Sequence, residues 1–286
     1  MPTTTHDFKM GADPEFICID YTHSIVEADT ILGDFNTPVG TDGGTRFEIR
    51  PQSSEEPLDI VRNIQTLLKQ QSFLKPIFYD LTWLAGSYQH DHSLGGHIHF
   101  GIPKHKMGRE TAIGFLDQYL GSITLLIEHR DQGLARRQTE YGGMGDYRNQ
   151  IYGFEYRTPS SWITSPYVAA AILCLGKMIL FESLNNPKFK WQTFAKPYHF
   201  TNMNTPYLKT KFPNIWSDIT KMKLYQKYKP YVDLIYFLVT ENLSWFPTTT
   251  MKNAWGVANL AKYTNKSVDL DLIWLRYKNL NKKLVK

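Results

Sequence analysis

The sequence predicts an α+β fold, in which a curved, mainly antiparallel sheet is backed by helices and followed by a mostly helical C-terminal extension. Two patterns predict it. Several short segments alternate apolar and polar side chains with the period of a strand and carry charges on one face, whereas longer segments repeat apolar residues at helical spacing. The 286 residues, 42% of them hydrophobic, suffice for one large domain or a domain with an appendage.

The predicted elements follow one another along the first two thirds of the chain. Four segments alternate like strands: 15–20, 45–51, 94–103 and 151–158. Three have the apolar spacing of helices: one that begins at Ser54, 109–131 and 166–184. The glycine-rich segment 132–150 contains Arg136, Arg137 and Arg148, and it reads either as a mobile loop that faces a phosphate or as a series of turns.

The character of the sequence changes near residue 185. Before it, glycine, histidine and acidic residues punctuate short segments; after it, lysine, tyrosine, tryptophan and asparagine fill long, weakly patterned ones. We therefore predict a domain over residues 1–185 and a mostly helical extension packed on it over residues 186–286. Helices are predicted at 231–241 and 268–284, and the tryptophans of the extension are expected to fill a core.

Composition excludes several classes of protein. The polar N-terminus predicts no secretory signal, so a cytoplasmic location is expected. The most apolar stretch, 167–175, is shorter than the roughly 20 residues that span a bilayer and Lys177 interrupts it, so no spanning helix and no membrane partner are predicted. Cys18 and Cys174 read as buried free thiols. The net charge of +5 suits a small anionic substrate such as a nucleotide and does not itself indicate nucleic acid.

Charged and histidine side chains recur on one face of the predicted strands. Because side chains two residues apart share a face, each strand contributes a pair or triplet. These sets are Asp13 with Glu15, Arg46 with Glu48 and Arg50, His97 with His99, and Glu155 with Arg157. Carboxylates and imidazoles bind divalent cations and arginines neutralise phosphate, so the set indicates nucleotide chemistry. Turn-forming acids and a salt-bridge ladder are the structural alternatives.

Other nucleotide and hydrolase motifs do not occur in the chain. The sequence contains no GxxxxGK[ST] phosphate loop, no GxGxxG after a strand and no GxSxG nucleophile elbow. A zinc hydrolase is the competing use of the acids and histidines. It favours a histidine-rich set with an open water position, whereas here carboxylates outnumber histidines and arginines lie close by.

Taken in order, the motifs resemble those of the carboxylate-amine ligases related to glutamine synthetase and glutamate-cysteine ligase, and most closely the phage-type amidoligases. The resemblance covers about residues 7–185. The segments that carry it are GADPEF at 11–16, GGTRFEIRP at 43–51, GGHIHFG at 95–101 and FEYRTP at 154–159. Ser165-Pro-Tyr167 is also similar to the Asn-Pro-Tyr helix start of glutamine synthetases.

This resemblance implies a glutamine-synthetase-like catalytic funnel that holds ATP and Mg²⁺, with Mn²⁺ as the alternative cation. Its implied ligands are Glu15 and Glu48 for one ion and Asp13, His97 and Glu155 for the other, with Asp42 the nearest candidate for a further acid. It also implies that His99 and Arg157 contact the transferring phosphate, with Arg50 and Arg148 as further anion contacts. The resemblance further implies that the catalytic residues are Glu48, Glu155 and Arg157.

The predicted function is therefore formation of an amide bond from a carboxylate and an amine, through an acyl phosphate, with release of ADP and phosphate. The substrates are small-molecule or peptide carboxylates and amines, and nucleic acid enters only as a modified-base substrate. Their identity, the general base and the oligomeric state stay open. A metal-dependent hydrolase and a non-catalytic phage protein that keeps the fold are the alternative functions.

Overall fold

A long first strand organises the sheet. The computed structural model describes residues 6–32, 37–103, 105–245 and 251–257. The strands are β1 (Met10–Ile19), β2 (Val39–Thr41), β3 (Arg46–Ile49), β4 (Thr82–Leu84), β5 (Tyr88–Gln89), β6 (His92–Ser93), β7 (Gly96–Phe100), β8 (Tyr147–Gln150) and β9 (Gly153–Tyr156). The main sheet has the order β2-β3-β1-β7-β9-β8, with β4 on the end of β1, and β5 and β6 form a hairpin. Every pairing among the described strands is antiparallel, which confirms the predicted fold class.

Helices cover one face of the sheet and build the rest of the protein. They are α1 (Ala28–Leu32), α2 (Pro57–Leu74), α3 (Pro76–Asp80), α4 (Arg109–Leu116), α5 (Ser122–Ile127), α6 (Arg130–Gln138), α7 (Pro166–Asn185), α8 (Pro197–Thr201), α9 (Thr205–Ile219), α10 (Tyr225–Thr240) and α11 (Met251–Ala254). The covered face carries buried residues such as Phe16, Phe47, Phe100 and Phe154, which alternate with the polar residues of the other face. The apolar core thus fixes which side of the sheet remains for polar chemistry.

Strand β1 begins five residues earlier than predicted, so that Asp13 lies inside it. Residues Met10–Pro14 pair with β7, and the pairing with β3 begins at Glu15. Pro14, which has no N–H to donate, lies where the partner strand changes, and a proline there interrupts the ladder least. This length puts Asp13 and Glu15 on one continuous strand.

The predictions for 109–131 and 132–150 need correction. Helix α4 is followed by a π-helical turn, Asp117–Gly121, and α5 ends at Ile127, before the predicted end. The glycine-rich segment contains helix α6 and strand β8. Arg136 and Arg137 are buried, so neither faces a phosphate from a mobile loop. The local sequence pattern did not predict that these two arginines of α6 are buried.

Helix α7 agrees with the predicted helix 166–184 to within one residue, and it is longer than the apolar stretch 167–175. Its 20 residues are apolar enough to cross a membrane by length and composition, so the shortness of that stretch does not itself exclude a spanning helix. However, 83% of the spanning-length window is buried within the protein. Lys177 does not interrupt the helix, because its buried ammonium pairs with Asp7 and donates to the carbonyl oxygen of Phe8. α7 packs against α2, α4 and α10 as a core helix.

The extension is helical over its described part. The helix predicted at 231–241 begins six residues earlier, as α10, and α8 and α9 were not predicted. Trp245 and Trp255 are buried, and Trp191 and Trp216 pack on the core, so these four tryptophans fill a core as expected. The predicted helix 268–284 lies outside the described residues. Cys18 and Cys174 are buried free thiols, as predicted.

Candidate active site

The strand register brings the polar residues of the open sheet face together. Glu15 of β1 faces Glu48 of β3, and Asp13 of β1 faces His97 of β7. Directly opposed residues share a face of the sheet, so these four side chains form one continuous patch. The patch continues across the next ladders, where Glu155 of β9 lies between His99 of β7 and Arg148 of β8.

Asp13, His97 and Glu155 form a cluster suited to a divalent cation. Each offers one ligand atom, and these atoms lie within 4.8 Å of one another. His97 Nδ1 is 3.4 Å from both Asp13 Oδ1 and Glu155 Oε1. Among the described residues, neither of these buried carboxylate oxygens has a hydrogen-bond partner. Buried oxygens without partners are costly, and two of them directed at one imidazole nitrogen provide the donor set that a hard cation prefers.

Glu15 and Glu48 form the second acidic part of the patch. Both are buried. Glu15 Oε2 accepts the backbone N–H of Gly95 at 2.6 Å, and Glu48 Oε2 accepts from Arg50 at 2.8 Å. Arg50 also donates to two backbone carbonyls at the β2 end of the sheet, at 3.0 and 3.1 Å, which fix its guanidinium. Arg50 therefore offsets the charge of Glu48, whereas the direct partner of Glu15 is the backbone N–H of Gly95.

The protonation equilibria reflect this crowding. Burial, together with the charges of Asp13, Asp42 and Glu15, raises the pKa of Glu48 to about 8 against the opposing effect of Arg50. Burial also raises the pKa of Glu15. Burial acts in the same direction on Asp13, but hydrogen bonds and charge interactions with His97 and His99 outweigh it and lower the pKa of that carboxyl. The carboxylates of the patch are buried close together, and a bound cation would favour their charged forms.

The residues predicted to contact anions lie at different distances from the Asp13, His97 and Glu155 cluster. Arg157 Nε is 3.4 Å from Glu155 Oε1, and its side chain is 22% exposed. Arg148 lies on the other side of Glu155, at 3.5 Å from Oε2, and is 58% exposed. His99 Nε2 is 2.9 Å from Asp13 Oδ2. Arg157 and His99 thus border the cation cluster, while Arg148 reaches it from the edge strand. Asp42 is exposed and pairs with Arg46 at 3.8 Å.

A cleft of about 460 Å³ opens beside the cluster on the Asp13 side. This volume lies within the range of small-molecule sites. Its lining combines two cationic side chains, an aromatic ring and apolar or small residues. The lining residues are Lys9, Met10, Gly11, Ala12, Asp13, Arg50, Pro51, Ser53, His99, Gly101 and Tyr152. A ligand with an anionic group near Lys9 and Arg50 and a flat, less polar end would fit this lining.

Sequence reasoning missed two tyrosines that contact the histidines. Tyr141 Oη hydrogen-bonds His97 Nε2, and Tyr152 Oη hydrogen-bonds His99 Nδ1. Burial raises the pKa of both phenols to about 12. Both come from connecting segments, Tyr141 from the turn after α6 and Tyr152 from the β8–β9 turn. The only sequence sign of Tyr141 is its place before Gly142 and Gly143, which by itself indicates a turn.

The segment around Tyr141 is held by a buried arginine. Arg136 donates to the carbonyl oxygens of Arg157, Thr158 and Pro159, at 3.2, 2.9 and 3.1 Å. Its guanidinium also lies 4.6 Å from the centre of the Tyr141 ring. Arg136 therefore joins the end of β9 to the turn that carries Tyr141.

A comparison with protein-family models identifies the family of this chain. Residues 10–257 match the model described as "Phage phiEco32-like COOH.NH2 ligase-type 2", which spans most of the chain. The chain belongs to this family. Its members are carboxylate-amine ligases, and the resemblance to phage-type amidoligases inferred from the motifs is confirmed. A search of curated proteins by sequence found no significant match.

Two solved structures match this chain at low sequence identity. The ligase PafA, in the "complex between Prokaryotic Ubiquitin-like Protein Pup and its Ligase PafA", matches with a TM-score of 0.54 and 8% identity, over 84% of this chain and 67% of that chain. Plasmodium falciparum glutamine synthetase matches with a TM-score of 0.46 and 10% identity, over 82% and 72% of the respective chains. The likeness to PafA concerns the fold alone.

Proposed function

We propose that this ligase uses ATP to convert a carboxylate into an acyl phosphate, which an amine then attacks to form an amide, with ADP and phosphate as the other products. One observation carries the proposal. The cluster of Asp13, His97 and Glu155, with two partnerless buried oxygens, lies against the guanidinium of Arg157. Ligand atoms for a cation beside an arginine are what phosphoryl transfer needs.

We assign one cation to Asp13, His97 and Glu155 and another to Glu15 and Glu48. Mg²⁺, or Mn²⁺ in its place, would neutralise phosphate oxygens and polarise the group that is transferred. The protein's part is to hold Asp13 and His97 in register and to limit water around them. His97 and Glu155 are buried and Asp13 is largely so, which keeps their charges effective.

Arg157 is assigned to the transferring phosphoryl group. Its planar guanidinium offers two parallel donors, and one edge is already held near Glu155. A donor fixed in advance stabilises the charge that develops during transfer without having to reorganise. Arg148 and His99 are assigned as further phosphate contacts on the two sides of the cluster.

The cleft beside Asp13 is assigned to the nucleotide. Arg50 and Lys9 supply positive charge, and Tyr152, Met10 and Pro51 supply the less polar surface that a base requires. Because carboxylates surround the phosphate end, ATP should bind there only together with a divalent cation. Calorimetry with ATP and Mg²⁺ tests this, and tight binding in the presence of EDTA would contradict it.

The carboxylate and amine are assigned by class only. The PafA match is described as a ligase of a protein partner, so a peptide or protein carboxylate stands beside small-molecule substrates for this chain. The deciding experiment measures ADP release from pools of carboxylates and amines, with mass spectrometry of the products. A product heavier than its precursor carboxylate by the amine minus water, formed only with ATP, supports the ligase. Turnover of an amide without ATP would instead identify a metal-dependent hydrolase.

A further inference from the structure

The hydroxyl of Tyr141 lies where the cation cluster and Arg157 meet. The His97 ring directs Nδ1 at Asp13 and Glu155 and directs Nε2 at Tyr141 Oη, with which it forms a hydrogen bond. The same oxygen accepts from Arg157 Nη2 at 3.2 Å. One phenol oxygen therefore contacts both a proposed cation ligand and the proposed phosphate contact.

Two guanidinium groups lie over the Tyr141 ring. The guanidinium carbons of Arg136 and Arg157 lie 4.6 and 5.2 Å from its centroid, and its plane is nearly perpendicular to that of His97, at 86°. Two cations near one aromatic ring restrict its rotation and translation. The hydroxyl is thus directed at His97 by contacts that do not depend on the hydroxyl.

Gly95 leaves the space in which this hydrogen bond forms. A Cβ atom built on Gly95 would lie 2.2 Å from His97 Nε2 and 2.7 Å from Tyr141 Oη, so any side chain there would push the two groups apart. The backbone of Gly95 is in turn fixed by its N–H bond to Glu15. The first glycine of the GGHIHFG motif is therefore explained by the contact between His97 and Tyr141.

We propose that Tyr141 is a positioning residue that holds His97 with Nδ1 available to the cation and ties that histidine to Arg157. This inference rests on the proposed function. An imidazole that gives Nδ1 to a metal carries its proton on Nε2, and an acceptor at Nε2 stabilises that tautomer. Tyr141 Oη is the acceptor here, and because it also binds Arg157, the cation site and the phosphate contact keep a fixed separation.

The test removes only the hydroxyl. Tyr141→Phe keeps the ring and its contacts with the two arginines, so folding should be preserved. Mn²⁺ binding to the protein without nucleotide, measured by calorimetry and by the EPR signal of free Mn²⁺, is expected to weaken about 10- to 100-fold, the usual cost of losing such a hydrogen bond to a ligand histidine. Tyr225→Phe, which removes a tyrosine hydroxyl that donates to Asp233 at 2.8 Å within α10, is the control and should change Mn²⁺ affinity by less than about twofold.

A second variant and a spectroscopic measurement separate positioning from folding. Gly95→Ala keeps Tyr141, but the added Cβ pushes the Tyr141 hydroxyl and the His97 ring apart. This variant should therefore weaken Mn²⁺ binding by a similar factor. With Mg²⁺ and ¹⁵N-labelled histidine, long-range ¹H–¹⁵N spectra of the wild type should show His97 as the Nε2–H tautomer, with its signal assigned by loss in His97→Gln. Tyr141→Phe should broaden or shift that signal.

The possible results decide between the two proposals. If the wild type binds no Mn²⁺, the cation site of the proposed function is wrong. If the wild type binds Mn²⁺ and folded Tyr141→Phe binds it equally well with an unchanged His97 tautomer, the role of Tyr141 is wrong and the cation site stands. Equal losses in Tyr141→Phe and Tyr225→Phe would also overturn the inference, because they would show a general loosening of the protein.

Discussion

Glu15 and Glu48 lie directly opposite each other in the ladder between β1 and β3, and both side chains are buried. Like charges in this position destabilise a sheet, and burial adds the cost of desolvation. Arg50 contacts Glu48 but leaves Glu15 with a backbone N–H as its direct partner. The pair therefore lowers the free energy of unfolding, and a bound cation would raise it again.

Replacing Glu48 by Gln tests that statement. The amide keeps the shape and cannot ionise, so above the raised pKa of Glu48, near pH 8 and higher, the melting temperature without cations should equal or exceed that of the wild type. Turnover should fall by about 10² or more, because a proposed cation ligand is lost. Asp59→Asn, in an exposed ion pair with Arg62, is a control that should change neither quantity. A large loss of melting temperature with activity retained per folded molecule would identify Glu48 as a structural ion-pair partner instead.

Replacing Arg157 by Lys tests the phosphoryl contact. The ammonium keeps the charge but cannot present two parallel donors, so kcat should fall by about 10² or more with a smaller change in the KM for ATP. Steady-state kinetics with varied ATP measure both quantities. A steep rise of KM with unchanged kcat would make Arg157 a ground-state binding contact. If neither kcat nor the KM for ATP changed, the residues at the end of β9 would not belong to the active site.

Arg136 is expected to be essential for stability although it does not reach the cation cluster. Replacement by Met removes a donor from the carbonyl oxygens of Arg157, Thr158 and Pro159, of which, among the described residues, only that of Pro159 keeps a second donor, the backbone N–H of Gly96. The free energy of unfolding in urea should therefore fall by at least about 3 kcal/mol. Arg130→Met is the matched control, since its exposed pair with Asp131 predicts a change below about 0.5 kcal/mol. Similar small changes in both variants would contradict the structural role of Arg136.

The stability of the protein should depend on pH through Asp117. This buried residue of the π-helical turn accepts from Tyr156 Oη at 2.8 Å, yet burial raises its pKa to about 6. The folded state then holds a proton more tightly than the unfolded state, so Asp117 lowers stability as the pH rises from about 4 to 6. Relative to Asp117→Asn, which does not titrate, the wild type should lose on the order of 2 kcal/mol between pH 4.5 and 8.

Urea unfolding of the two proteins at several pH values measures this difference, and other titrating groups cancel in the comparison. A difference that stays constant over this range would show that Asp117 keeps an ordinary pKa in the folded protein.

The local sequence pattern was sufficient to predict which residues share a face of each strand. The two-residue period places Asp13 with Glu15 and His97 with His99, and the structure keeps both pairs on the open face of the sheet. The pairing between strands is not local, so the pattern did not state that Glu15 faces Glu48. The buried guanidinium of Arg136 was equally invisible, because a charged residue is buried only when distant groups satisfy it.

Tyr141 marks the limit of such reasoning. Its role depends on a turn after α6, on the space left by Gly95 and on two arginines from other elements. No periodicity connects these positions, and only the folded chain brings them together.

The ten residues of β1 make the chemistry sensitive to chain length. Asp13 and Glu15 share this strand with Phe16 and Cys18, which point into the core from the opposite face. Inserting or deleting a single codon before Glu15 would exchange the two faces upstream of it, sending a carboxylate into the apolar layer or an apolar side chain to the cation site. The register of β1 against β3 and β7 therefore tolerates no change in the length of this strand.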